Sequence, residues 1–332
     1  MSEPLFSVKD LCVEYVTPRG PVRAVDHVSF EIGAGQVFGL AGESGSGKST
    51  AAMAAMRLLQ PPALITGGEV KFRGRDILKM DEDELRRFRW KEIALVFQSA
   101  MNALNPVLTV GAQIADVIET HEGVKKSVAL ERAAELLQLV GIESSRLKSY
   151  PHQLSGGMRQ RVVIAIALAL KPPLLFMDEP TTALDVVVQK EILQQIAELK
   201  QKLGFSILFI THDLSLMLEF CDTVGILYAG KLCEVAPAKT LFSAPQHPYT
   251  RGLMNSFPEL KGPRQRLEGI PGSPPDLRKP PSGCRFHPRC ADRIDVCDTV
   301  VPLLLPQGST SQDRVHVAAC HRSRGATEGE SP

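Results

Sequence analysis

Two hydrophobic periods alternate along this chain, and together they predict a run of strands and helices. Val8, Leu11, Val13 and Tyr15 lie on an alternating strand, while Gln36–Ala41 is apolar enough to be a buried one. Ser49 through Leu59, rich in Ala and Met, predicts a helix directly after a glycine-rich loop. Val110–His121 and Val124–Val140 carry apolar residues at helical spacing, with Gly141 as a stop. A helix opening at Ser155-Gly156-Gly157 runs on through Val162–Ile166. Leu174–Met177 then fits a strand covered on both faces of a parallel sheet. The strand Ile207–Ile210, a helix over Leu214–Cys221, and strands over Thr223–Tyr228 and Leu232–Val235 complete the pattern. The expected class is α/β. Beyond these strands the periodicity dissolves. Ten of the 24 prolines fall between Pro258 and Pro306, which predicts an irregular extension with few long helices.

Composition narrows the function classes. At 332 residues and 44% hydrophobic content, the chain can bury one large core and a smaller appended unit. A net charge of +1 gives no strong field to draw nucleic acid or an anionic membrane surface. The longest apolar run, Val162–Leu170, is too short to span a bilayer. Met1-Ser2-Glu3-Pro4 has neither a basic region nor an apolar signal core, so a soluble intracellular chain is expected. Any membrane channel it serves would belong to another chain.

The chemistry-bearing residues sit at the ends of the predicted elements. Gly42-Glu43-Ser44-Gly45-Ser46-Gly47-Lys48-Ser49-Thr50 matches G-x-x-x-x-G-K-[ST], with a strand before it and a helix after it. In such a loop the backbone N–H groups at Ser44, Gly45, Ser46, Gly47 and Thr50 wrap phosphates. Lys48 reaches the terminal phosphates, and the Ser49 hydroxyl is offered to Mg²⁺. Asp178 and Glu179 end the strand Leu174–Met177, where open α/β sheets place their ligand chemistry. Asp178 can hold a Mg²⁺ shell through water, and Glu179 can orient or deprotonate the attacking water. Adjacent acids before Pro180 would also suit a helix start, but the phosphate loop favours the pair as a site. Tyr150-Pro151-His152-Gln153-Leu154-Ser155-Gly156-Gly157 leads into a helix whose bare N–H groups suit a phosphate. Alone it would also fit a Ser cap on a glycine turn.

The order of these motifs resembles that of the ATP-binding-cassette (ABC) ATPases across residues 5 to about 245. The phosphate loop is followed by Gln98, then Ser155–Gln160, Asp178-Glu179, an Ala183-Leu184-Asp185 turn, and His212. The resemblance implies a cassette core with an antiparallel β subdomain, including Tyr15–Phe30 and Gly67–Phe72, and an α-helical subdomain at about 100–170. It implies that Gln98 touches Mg²⁺ or the water, that Asp185 lies in the D-loop, and that His212 contacts the γ-phosphate. Tyr15 would stack on adenine, although an aromatic on a strand reads as readily as core. Gln153, Ser155, Gly156 and Gly157 would close over the ATP of a second cassette in a head-to-tail dimer.

Four of the seven cysteines, Cys284, Cys290, Cys297 and Cys320, crowd the extension. In a cytosolic chain this points to metal rather than disulfides. The gaps are wider than zinc knuckles, and four thiolates also suit an iron–sulfur cluster or no ligand. Cys12, Cys221 and Cys233 stand apart and read as small buried hydrophobes. Here the resemblance tightens. Gln246-His247-Pro248-Tyr249-Thr250, Gly269–Pro275 and Gly283–Cys290 look like the tail of oligopeptide/dipeptide importer ATPases. So do Val96-Phe97-Gln98, Leu104-Asn105-Pro106 and the Gly-Met-Arg-Gln-Arg form at 157–161. That family implies a 4Fe–4S cluster on the four cysteines. His321 and His316 leave a histidine ligand, or zinc, open.

The resemblance divides the chain into a cassette (5–257), a cysteine-bearing extension (258–323) and a disordered tail (324–332). Ala165-Ile166-Ala167 resembles the first of the two ATPase subunits of such importers. It therefore implies a second, non-identical ABC ATPase, two transmembrane permease subunits, an extracytoplasmic substrate-binding protein, and no nucleic acid. The place implied is the cytoplasmic face of the plasma membrane, held through the permease. Di- or oligopeptides are the implied cargo, with glutathione, nickel chelates or oligosaccharides as alternatives. A soluble ABC protein of DNA repair or translation would carry paired cassettes, long coiled coils or basic surfaces, and none is present in the sequence. Serine at the cysteines is expected to cost assembly or stability before nucleotide binding.

Overall fold

A computed structural model describes residues 3–97, 103–182, 184–256, 269–307 and 316–323. Gln98, Ala183 and the stretch 324–332 lie outside the described residues. The chain begins with β1 (Phe6–Tyr15), β2 (Val22–Ile32), β3 (Val37–Ala41), α1 (Lys48–Ala55), β4 (Ala63–Phe72) and β5 (Arg75–Asp76). It continues with α2 (Glu82–Phe88), β6 (Ile93–Val96), α3 (Val110–Glu122), α4 (Lys126–Leu139), α5 (Gly156–Ala167), β7 (Leu174–Asp178), α6 (Val186–Leu203) and β8 (Ser206–Ile210). Last come α7 (Leu214–Phe220), β9 (Thr223–Tyr228), β10 (Lys231–Pro237), α8 (Ala238–Ser243), α9 (Pro248–Asn255), β11 (Leu305–Pro306) and β12 (Val317–Ala318). These elements fall into two compact units. One holds Met1–Ile32, Val37–Leu78 and Ile210–Pro332, and the other holds Gly33–Gln36 and Lys79–Phe209.

In the first unit, β1 pairs antiparallel with β2 and with β4, and β5 adds to β4. This is the antiparallel sheet expected from the sequence. The step from Val8 to Leu11 breaks strict alternation because the register shifts there, around Asp10 at φ 49°. The bulge returns Leu11 and Val13 to the buried face. β3 runs parallel to β9, whose other neighbour, β10, is antiparallel. α1 stops at Ala55, short of the predicted Leu59. Arg57 turns to φ 52° and the Leu58 N–H closes back on the Met53 carbonyl at 2.8 Å.

The proline-rich extension is part of this unit. β12 pairs with β10 and carries β11. Fully buried Glu234 on β10 accepts the Gln246 and His247 N–H groups at 2.7 and 2.9 Å, and meets His316 Nε2 at 2.7 Å. Burial pushes the Glu234 carboxyl up, but these bonds outweigh it and hold the group below its ordinary range. Phe286 is buried against the rings of Tyr228 and Tyr249, with centroids 5.2 and 5.3 Å away. The described parts of the extension, 269–307 and 316–323, lie in the same compact unit as β9 and β10.

In the second unit, β6 lies parallel to β7, and every residue of β7 and β8 is buried. α3 starts on a Thr109 cap and ends at left-handed Gly123, and α4 is followed by Gly141 at φ 69°. α3, α4 and α5 pack on one another, forming the helical region expected near 100–170. Trp90 ties β6's approach to α5 through Nε1–H donated to the Ile166 carbonyl at 2.9 Å. No helix among the described residues is long and apolar enough to cross a membrane.

Candidate nucleotide and cysteine sites

The phosphate-loop residues hang between β3 and α1 in the first unit. Gly42 has φ 144°, and a Cβ there would sit 2.1 Å from the Leu227 carbonyl oxygen. Gly47 has φ 105°, and its Cβ would sit 2.3 Å from the Ala24 oxygen. Both positions need glycine for conformation and for room, so the loop curls tightly over its neighbours. Gly47 caps α1 without a side-chain bond, leaving the helix start to backbone donors. The Lys48 ammonium, nearly buried, donates to the Gly42 and Glu43 carbonyls at 2.7 and 2.9 Å and to Ser46 Oγ at 3.3 Å. Tyr15 is half-buried, and its hydroxyl lies 3.3 Å from Thr50 Oγ1. The structure thus places it beside the loop's end rather than in the core. His212 is exposed between β8 and α7, and Asp213 caps α7 through Ser215 and Leu216.

In the second unit, Asp178 is buried at the carboxyl end of β7. Glu179 follows with φ 46°, a left-handed conformation that a non-glycine residue adopts at a cost of roughly 1–3 kcal/mol. Its Oε2 accepts the Thr182 hydroxyl at 3.0 Å. Asp185 caps α6, accepting from Val187 and Val188 at 3.1 and 3.0 Å. Ser155 caps α5 through Met158, and Gln153 accepts the Tyr150 N–H at 2.8 Å. A Cβ on Gly157 would lie 2.9 Å from Val188 Cγ1. The starts of α5 and α6 therefore meet, and Ser155–Gly157 and Asp185 share one neighbourhood.

Cys284, Cys290, Cys297 and Cys320 line a single pocket, together with His287 and His321. The Cys284 N–H donates to the Cys297 carbonyl at 2.8 Å. Burial pushes the Cys284 thiol up to about 11, and Cys297, Cys320 and Cys290 push the same way. In no trio of these cysteines and histidines do the ligating atoms all lie within 4.8 Å of one another. Tetrahedral zinc at about 2.3 Å from each sulfur would hold them closer than that. Cys221 and Cys233 are buried, as read, and Cys12 is half-buried with its sulfur accepting the His27 N–H at 3.3 Å. Cys233 is not isolated, however. It lines a pocket with Cys284, and Cys284 and Cys320 add to the rise that burial causes in its pKa.

Two contacts escaped the reading of the sequence. Glu43, inside the phosphate loop, pairs with Arg289 of the extension, and the Glu43 N–H donates to the Tyr249 hydroxyl at 2.9 Å. The only signal available was an acidic residue in the loop and two arginines between Cys284 and Cys290.

Comparison with known proteins agrees with this architecture. A model of the "ABC transporter" family matches residues 25–182, and one for the "Oligopeptide/dipeptide transporter, C-terminal region" matches 233–297. The dipeptide transport ATP-binding protein DppD of Bacillus subtilis is 44% identical over 96% of this chain and 94% of its own. The oligopeptide transport ATP-binding protein OppD of Escherichia coli is 44% identical over 91% and 90%. A dimeric post-hydrolysis structure of the ATP-binding cassette MJ0796, bound to ADP and Pi, is 31% identical. It aligns at a TM-score of 0.63 over 70% of this chain and 98% of its own. With relatives this similar along nearly the whole chain, the protein belongs to the ABC transporter family, as an ATP-binding protein carrying the oligopeptide/dipeptide transporter C-terminal region.

Proposed function

We propose that this chain is an ATP-hydrolysing subunit that energises import of di- or oligopeptides through a separate permease. The observation that carries it is a phosphate loop and an oligopeptide/dipeptide transporter C-terminal region in one chain, matched over nine-tenths or more of its length by peptide-transport ATP-binding proteins. Lys48 and the N–H groups of Ser44–Thr50 hold the phosphates. Ser49, Asp178 and Gln98 hold Mg²⁺, Glu179 positions the attacking water, and His212 contacts the γ-phosphate. Tyr15 offers its ring to adenine. Gln153, Ser155, Gly156, Gly157 and Asp185 serve the ATP of a partner cassette, a non-identical subunit. The permease pair and a substrate-binding protein supply path and cargo, so the chain works at the cytoplasmic face of the membrane. Copurifying the assembled complex and identifying the ligand on its binding protein tests the cargo. A glutathione, nickel chelate or oligosaccharide there would replace peptide.

We further assign a 4Fe–4S cluster to Cys284, Cys290, Cys297 and Cys320. Its support is the resemblance together with the four cysteines lining one pocket, where burial raises the Cys284, Cys290 and Cys320 thiols and a bound cation would be needed to hold them as thiolates.

Ser155→Arg tests the head-to-tail arrangement. The isolated chain should still bind ATP, because residues 42–50 are untouched, while hydrolysis at the partner's site in the complex should stop. Losing the Ser155 cap costs α5 about 1 kcal/mol, too little to unfold the chain. Loss of monomer affinity equal to that of Lys48→Ala would sink the trans assignment.

A further inference from the structure

The phosphate loop carries an acid, and the extension holds it. Arg289 grips the Glu43 carboxylate with both arms, Nη1 to Oε2 at 2.7 Å and Nη2 to Oε1 at 3.0 Å. The same guanidinium donates to the Pro271 carbonyl at 2.8 Å, the Ile270 carbonyl at 3.4 Å and the Tyr228 hydroxyl at 3.3 Å. Its side chain is 6% exposed, against 27% for Glu43. Glu43 is fixed twice more, by its N–H on the Tyr249 hydroxyl and by its carbonyl on Lys48 Nζ. Every polar group of this loop residue is therefore engaged, two of the three by residues beyond 248.

A carboxylate inside a loop that receives a triphosphate opposes the ligand's charge, and the opposition grows as water is excluded. A planar fork both cancels that charge and fixes the carboxylate's direction, which an ammonium cannot do as well. We propose that Arg289 is a positioning residue for nucleotide binding, neutralising Glu43 so that the phosphate loop can accept ATP. The extension is then a component of the nucleotide site, not an appendage to it. The inference rests on reading Gly42–Thr50 as the ATP site. It also revises the expectation that the extension matters to assembly before it matters to nucleotide. Arg289 ends the short turn His287–Arg289, directly before Cys290.

The test is equilibrium binding of a fluorescent ATP analogue to the full chain, purified anaerobically, with iron content and melting temperature measured for each variant. Arg289→Met should weaken binding about tenfold, and rising salt should narrow the gap as it screens the bare carboxylate. Arg289→Met combined with Glu43→Gln should bind several-fold more tightly than Arg289→Met alone, because the unpaired charge is gone. Arg289→Lys, which keeps the charge and loses the fork, should fall between wild type and Arg289→Met, and it carries the test if the Met variant does not fold. Wild-type affinity in both Arg289 variants would overturn the proposal. So would equal losses from Glu43→Gln and Arg289→Met, or a double variant no better than Arg289→Met, since a merely structural pair behaves that way. Lys48→Ala is the separate control. If it binds the analogue as well as wild type, the reading of Gly42–Thr50 fails, whatever Arg289 does.

Discussion

Glu179→Gln should leave ATP bound and reduce turnover in the assembled transporter by roughly two to three orders of magnitude. The amide has the shape of the carboxylate and can still accept the Thr182 hydroxyl, which lies 3.0 Å from Oε2. The strained backbone at φ 46° should therefore persist, because what surrounds it is unchanged. On the proposed roles, what disappears is the negative charge that would orient and deprotonate water, while Asp178 would still be available to Mg²⁺. Lys48→Ala should act earlier and abolish binding. Its ammonium is held by the Gly42 and Glu43 carbonyls inside the loop, where a phosphate would exchange for them. Nucleotide titration and single-site turnover separate the two outcomes. Wild-type hydrolysis by Glu179→Gln would remove Glu179 from its role.

Replacing any of Cys284, Cys290, Cys297 or Cys320 by Ser should bleach a brown protein. Anaerobically purified wild type should contain iron and acid-labile sulfide, and each variant should lose them. The extension has short elements and is held to the rest by the β12 pairing, the His316–Glu234 contact, Phe286 and the ion pairs of Arg285 with Asp26 and Arg289 with Glu43. A bound cluster would add the missing cross-link, as metals do in other small domains, and its loss should lower the melting temperature. Because Arg289 adjoins Cys290, these variants should also weaken ATP binding. Cys12→Ala, Cys221→Ala and Cys233→Ala should keep the colour. Cys233 is the sharp control, since it lies beside Cys284 yet is a buried thiol whose pKa is driven well up. Colourless protein with stoichiometric zinc would establish a zinc staple. Metal-free protein with an intact extension would refute both.

Much of the fold was legible in local pattern. Thr223–Tyr228 is a strand at the expected bounds, and Val110–Glu122 and Lys126–Leu139 are helices to within two residues. The loop Gly42–Thr50 and the acids Asp178 and Glu179 sit at strand ends, as strand–loop–helix order requires. These features depend on side-chain periodicity, turn glycines and caps, all of which act within a few residues. The early stop of α1 at Ala55 was not legible, because the turn at Arg57 is set by how the chain closes.

Three further features were decided by tertiary structure alone. Arg289 meets Glu43 across 246 residues, and Arg285 meets Asp26 across 259. Cys233, apart from the others in sequence, comes to lie beside Cys284. Sequence by itself determined the central strands, the helices Val110–Glu122 and Lys126–Leu139 and the phosphate-loop motif, since short-range sterics and hydrogen bonding specify them. Which arginine answers which acid depends on where distant segments return after β10 and β12 pair, and no local period encodes that. Only the folded chain joins the cysteine-bearing extension to the phosphate loop, because burial, not sequence spacing, brings a guanidinium and a carboxylate into register.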